Sequence, residues 1–123
     1  MCRSGQRLVG VARDAQQQAP GRGAEEGEVV TLGHRRITPL PANHTVPAVG
    51  YWLDSGAASL VFTGDTTTCD ELWAVANRIE NLRYIIIETA FHNGEEQLAI
   101  ASKHLWPDQL TVELGKLQRK ARV

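Results

Sequence analysis

Val61-Phe62-Thr63-Gly64-Asp65-Thr66 constrains this chain more than any other stretch. A short apolar run is cut off by a glycine and a carboxylate, then followed by hydroxyls at Thr66, Thr67 and Thr68. This reads as a buried strand that delivers Asp65 to its mouth just before a helix. In an α/β protein a metal ligand or a catalytic acid stands at such a place. Earlier comes Asn43-His44-Thr45-Val46-Pro47, again a polar pair at the edge of an apolar strand. Taken alone, His44 reads as a loop histidine bonded to backbone, and Asp65 as a turn residue or helix cap. Taken together, they begin and end strands of one hairpin and converge at one sheet edge. Imidazole and carboxylate then form a mixed N/O set suited to Zn, Mn or Fe.

The rest of the pattern supports an α/β layered fold. Val29 to Leu32 and Arg35 to Leu40 predict two strands around Gly33-His34, the second ended by Pro39 and Pro41. Val49 to Leu53 and Ser59 to Thr63 predict an antiparallel pair turned at Asp54-Ser55-Gly56. Thr68 and Glu71 have the spacing of a capping box. Leu72, Val75, Ala76 and Ile79 then form one apolar helix face. Tyr84 to Ile87 predicts a strand covered on both faces and ending in Glu88-Thr89. Asn93 with Glu96 predicts the start of a helix running to about Ser102. Pro107 opens a last helix with Leu110, Leu114 and Leu117 as its stripe. A further strand is expected where the chain reaches Arg119 to Val123.

Residues 1–27 contrast with this regularity. They are rich in Gln, Arg, Gly and Ala and carry only Leu8, Val9 and Val11 as an apolar cluster. They predict a disordered or poorly packed tail ahead of one domain over 28–123. With 123 residues and a formal net charge of −1, the chain is at most one small domain without an overall basic surface. That argues against a nucleic-acid partner relying on charge. No stretch approaches the roughly 18 apolar residues that span a bilayer. Cys2 and Cys69 fit no CxxC pattern and give no disulfide framework, so a reducing cytoplasm is the expected setting.

Two further residues invite chemistry. Glu88 follows three isoleucines and either caps a loop or sits in a partly dry pocket. His104, in Ser102-Lys103-His104-Leu105, has the plainer reading of an interhelix histidine. A Glu–His pair would suit proton transfer to a leaving alkoxide. His34 and His92 carry no comparable context and receive no role.

These motifs, taken in order, resemble the metallo-β-lactamase-fold phosphodiesterases, specifically the class II 3′,5′-cyclic nucleotide phosphodiesterases and their bacterial relatives. The matching stretches are Pro41 to Tyr51, Phe62 to Thr66, Ile87 to Phe91 and Ser102 to Leu105. The framework is similar to that of the tRNase Z endonucleases too. The resemblance implies a partial αββα metallo-β-lactamase fold, its C-terminal half. It implies His44 as a ligand of one metal and Asp65 as a carboxylate bridging two, with the ions about 3.5–4 Å apart. It implies Glu88 and His104 as the pair that assists proton transfer to the leaving group. Two divalent metal ions (Zn, Mn or Fe) and a small-molecule cyclic nucleotide follow as cofactor and substrate.

The departures shape the expectation. The family's His-x-His-x-Asp-His string is not found in residues 1–43, and its final metal-binding His belongs on a strand beyond the last helix. Trp106 replaces the small capping residue expected before Pro107, and His92 stands where proline is common. The chain is therefore expected to be a truncated fragment with an incomplete metal site and little or no activity. An uncovered sheet face is expected to drive aggregation or homo-oligomer formation. The competing readings are an RNA-processing nuclease and a non-catalytic remnant or interaction domain.

Overall fold

A computed structural model describes residues 28–123. The expected tail over 1–27 lies outside the described residues. Five strands form one sheet in the order β1-β2-β3-β4-β5, with β1 at Val30–Leu32, β2 at Arg35–Pro41, β3 at Val49–Asp54, β4 at Ser59–Phe62 and β5 at Leu82–Ile86. Helix α1 spans Asp70–Ala76. A single 3₁₀ turn at Asn93–Glu95 leads into α2 at Glu96–Ser102, and α3 spans Pro107–Leu114.

Strands β1 to β4 are joined by short loops and pair antiparallel. Strand β5 pairs parallel to β4, because the chain crosses over through α1 before returning. This topology decides where chemistry can occur. Pro41 at the end of β2 sits opposite Val49 at the start of β3, and Phe62 at the end of β4 lies beside Tyr51 and Ile86. The loops carrying His44, Asp65 and Glu88 therefore all emerge at one edge of the sheet.

The core lies on one face. Leu40, Val61, Leu72, Trp73, Ala76, Ile79, Leu82 and Ile85 are buried together, with Trp52, Val75, Ile87, Leu114 and Leu117 packed around them. The other face is uncovered among the described residues. Leu53, Phe62, Tyr84 and Ile86 are 40 to 51% exposed there. This corrects the expectation that the run Tyr84 to Ile87 is covered on both sides. Within the run Ile85 turns inward while Tyr84 and Ile86 stay exposed, and a short apolar run cannot reveal which side has a partner layer.

Two local expectations also change. Pro39 does not end β2, which runs on and stops at Pro41. Strand β1 pairs only with residues 35–37, so 38–41 form an open edge where a missing N–H leaves no ladder bond unmade. The N-cap of α1 is Cys69, one residue past the expected Thr68, and Cys69 makes no side-chain cap bond. A carboxylate from α3 reaches this end instead. Glu113 is 1% exposed, accepts from Trp73 Nε1 at 2.6 Å, and places Oε2 3.5 Å from the Cys69 backbone nitrogen. Lys116 bridges Glu113 and Asp70, each at 2.6 Å, and tightens the α1–α3 junction. Burial works against the Lys116 charge, but the two carboxylates outweigh it and raise its pKa.

The region of the expected last strand begins to pair. Arg122 N donates to Arg83 O at 2.9 Å and Ile85 N to Arg122 O at 2.7 Å, a parallel bridge beside β5. No helix among the described residues is long and apolar enough to cross a membrane.

Candidate metal centre

Asp65 reaches the sheet edge because β4 is stopped by Gly64. That residue has φ +62, and a side chain there would place Cβ 2.9 Å from Val49 O. A glycine is therefore needed both for the backbone turn and for the close approach of β3. The following hydroxyls stitch the Asp65 loop to the His44 loop. Asn43 N donates to Thr66 Oγ1 at 2.9 Å, Thr67 N to Asn43 O at 2.9 Å, and Asn43 Nδ2 to Thr68 O at 3.0 Å. Thr66 is buried at 1% exposure. Asn43 and Thr66 are thus the residues that hold His44 and Asp65 in register. Their place in the two motifs was their only signal in the sequence.

The third and fourth residues arrive from the helical side. His104 Nδ1 donates to Glu88 Oε1 at 2.6 Å, with the two side chains 18% and 23% exposed. Phe91 packs edge-on against the His104 ring at 5.7 Å between centroids. The His44 and His104 rings lie 4.7 Å apart at 71°. His44 Nδ1 donates to the Lys103 carbonyl at 3.1 Å. One donor atom from each of His44, Asp65 and His104 lies within 4.8 Å of the others. Asp65 is exposed while both imidazoles are half-buried, so the cluster forms a rim open to solvent.

The donor set suits a divalent cation. Two imidazoles and a carboxylate are the ligand types zinc and its neighbours take, and catalytic zinc commonly keeps three protein ligands. Both imidazoles have Nδ1 engaged with an oxygen acceptor, which leaves Nε2 of each as the nitrogen not used in these contacts.

His92 and Asn93 acquire structural tasks. His92, not Asn93, is the N-cap: its Nδ1 accepts from Gly94 N at 3.0 Å, and Glu95 Oε2 accepts from His92 N at 3.4 Å. Asn93 instead reaches across to α3, accepting from Asp108 N at 3.0 Å and donating to Asp108 Oδ1 at 2.9 Å. That explains how Trp106 can stand at the N-cap of α3 without a hydroxyl. The cap is supplied from a different segment.

Residues 6–123 match the family model described as the beta-lactamase superfamily domain. Among solved structures the chain is similar to the metallo-beta-lactamase fold protein YhfI from Bacillus subtilis, with a TM-score of 0.58 and 16% identity over 92% of this chain and 58% of that one. It is also similar to a mutant of the CmlA beta-hydroxylase, with a TM-score of 0.55 and 14% identity over 89% of this chain and 26% of that one. At such identities the likeness shows the fold alone, and the chain spans little more than half the length of YhfI. No curated protein matches the chain. The chain belongs to the beta-lactamase superfamily, and its five-stranded sheet with flanking helices is part of the metallo-beta-lactamase fold.

Proposed function

We propose that this chain carries the C-terminal half of a metal-dependent phosphodiester hydrolase, acting in the cytoplasm on a 3′,5′-cyclic nucleotide. The observation that carries the reading is the meeting of His44, Asp65 and His104 donor atoms within 4.8 Å at one sheet edge. His44 and Asp65 would hold the metal. A divalent cation there supplies charge stabilisation at a phosphoryl oxygen and a water of lowered pKa. Glu88 accepts the Nδ1 proton of His104 and so orients the ring. His104 Nε2 then faces the rim as the atom that delivers a proton to the leaving oxygen, with Glu88 stabilising the imidazolium that precedes the transfer.

A second reading makes His104 the third ligand of a single cation, and the same 4.8 Å cluster favours it. A tRNase Z-like nuclease and a non-catalytic remnant are the broader alternatives. The test joins residues 28–123 to a superfamily N-terminal half carrying His-x-His-x-Asp-His and to a following strand. Cyclic-nucleotide hydrolysis should appear with Mn or Zn. Asp65→Ala should abolish it and strip the metal. His104→Ala should slow turnover about 10²–10⁴-fold with metal content kept. If His104→Ala empties the site as thoroughly as Asp65→Ala, His104 is a ligand. Metal uptake with no hydrolysis of any phosphodiester would leave the remnant reading standing.

A further inference from the structure

His44 and His104 belong to different layers of the protein, and the turn at Lys103 is where they meet. Lys103 has φ +56, and it is the one non-glycine residue in the left-handed region among the described residues. It is the C-cap of α2. Lys103 N donates to Ile100 O at 3.3 Å and His104 N to Ala99 O at 3.0 Å. These two bonds are the pair that closes a helix when the residue past its end turns left-handed. Glycine usually takes that position, because a Cβ crowds the following carbonyl. Here a lysine with an exposed side chain takes it. A plain helix stop would leave its carbonyl to solvent. Instead that carbonyl accepts from His44 Nδ1, across 59 positions of sequence.

We propose that Lys103 is a positioning residue for the candidate metal centre, acting through its backbone. The assignment rests on the metal-centre reading above. Its turn does two things at once. A carbonyl can only accept, so it holds the His44 proton on Nδ1 and leaves the Nε2 lone pair for a cation. The reversal of the chain also sets the next residue, His104, against the His44 ring at 4.7 Å. One left-handed residue therefore fixes the tautomer of one imidazole and the place of the other. Outer partners of this kind typically change metal affinity by about 10–100-fold when lost.

The test uses the full chain and two readouts, neither of them activity. Imidazole nitrogen spectra at about pH 8 report the His44 tautomer, and a zinc titration reports affinity. The wild-type chain should show His44 as the Nδ1–H tautomer. Lys103→Gly accepts the left-handed turn, and should keep both the tautomer and the affinity. Lys103→Val is β-branched and resists that turn. It should give a mixture of His44 tautomers and about 10–100-fold weaker zinc binding. Lys103→Ala should fall between them if Lys103→Val does not fold. His34→Gln, in the β1–β2 turn, should change neither readout. The proposal is overturned if Lys103→Val keeps tautomer and affinity, or if Lys103→Gly is as damaging as Lys103→Val. It also fails if His44 of the wild type carries its proton on Nε2. If the wild type binds no zinc, the metal-centre reading falls, while the tautomer comparison still decides the role of Lys103.

Discussion

Asp54 ends β3 at the edge of the sheet away from the His44 loop, and it is only 6% exposed. The Arg36 guanidinium, Asn81 Nδ2 at 3.0 Å, Gly56 N at 2.8 Å and Ser59 Oγ at 3.3 Å all donate to it. Those donors, Arg36 foremost, hold its carboxyl well below the usual carboxylate range. A depressed folded-state pKa means that the ionised form favours folding. The contribution is complete above the ordinary carboxylate value of about 4, and drains away as pH falls toward the depressed one. The chain's melting temperature should therefore fall on acidification below about pH 4. Asp54→Asn should melt lower at pH 7 and show a flatter acid limb in calorimetry. Parallel acid limbs for the two proteins would assign the acid loss to other groups, Asp70 beside Lys116 being the next candidate.

The junction of α1 with α3 shows why some elements were legible in the sequence and their fastenings were not. The helix over Asp70–Ala76 follows from the spacing of Leu72, Val75 and Ala76, which the structure turns toward the core. Its cap did not follow, because Glu113 lies 44 positions away from Cys69, and capping rules see only neighbours. One signal was present: Glu113 falls three residues after Leu110, on the apolar side of its helix. A carboxylate on that side needs a buried donor. Removing it should leave the buried Trp73 Nε1–H without its acceptor and the Lys116 ammonium with Asp70 alone. Glu113→Ala should destabilise the chain by about 3 kcal/mol in urea unfolding. Glu113→Gln, which still accepts from Trp73, should lose less. The same logic separates the site residues. His44, Asp65, Glu88 and His104 stood out by chemistry, whereas Asn43, Thr66 and Lys103 act through backbone contacts that residue type does not announce.

For the whole molecule, the alternation along β3 and β4, and along β5 from Tyr84 onward, sends one set of apolar side chains into the core and another to the open face. Phe62 and Ile86 pair across β4 and β5 on that open face, at 43% and 51% exposure. A contiguous apolar sheet face of this kind promotes association. We expect the isolated chain to form dimers or larger species in sedimentation velocity, with the monomer fraction rising in a Phe62→Lys, Ile86→Lys double variant. A sharp monomer peak for the wild type across micromolar concentrations would refute this. The layered α/β class and the order of elements were readable from periodicity, because each element needs only its own residues. Which face of the sheet has a partner layer is a property of the assembly, and no window along β5 encodes it.

The bond from His44 to Lys103 also sets a timetable. Its two ends are 59 positions apart, and β3, β4, α1, β5 and α2 lie between them. During synthesis the His44 and Asp65 loops leave the ribosome long before α2 and its turn exist. Contacts this distant along the chain form only after the intervening sheet and helices have docked. The candidate metal centre is then a late product of folding, completed when α2 and its turn dock. A captured ion would mark a finished molecule and could not act as a seed around which the nascent one gathers.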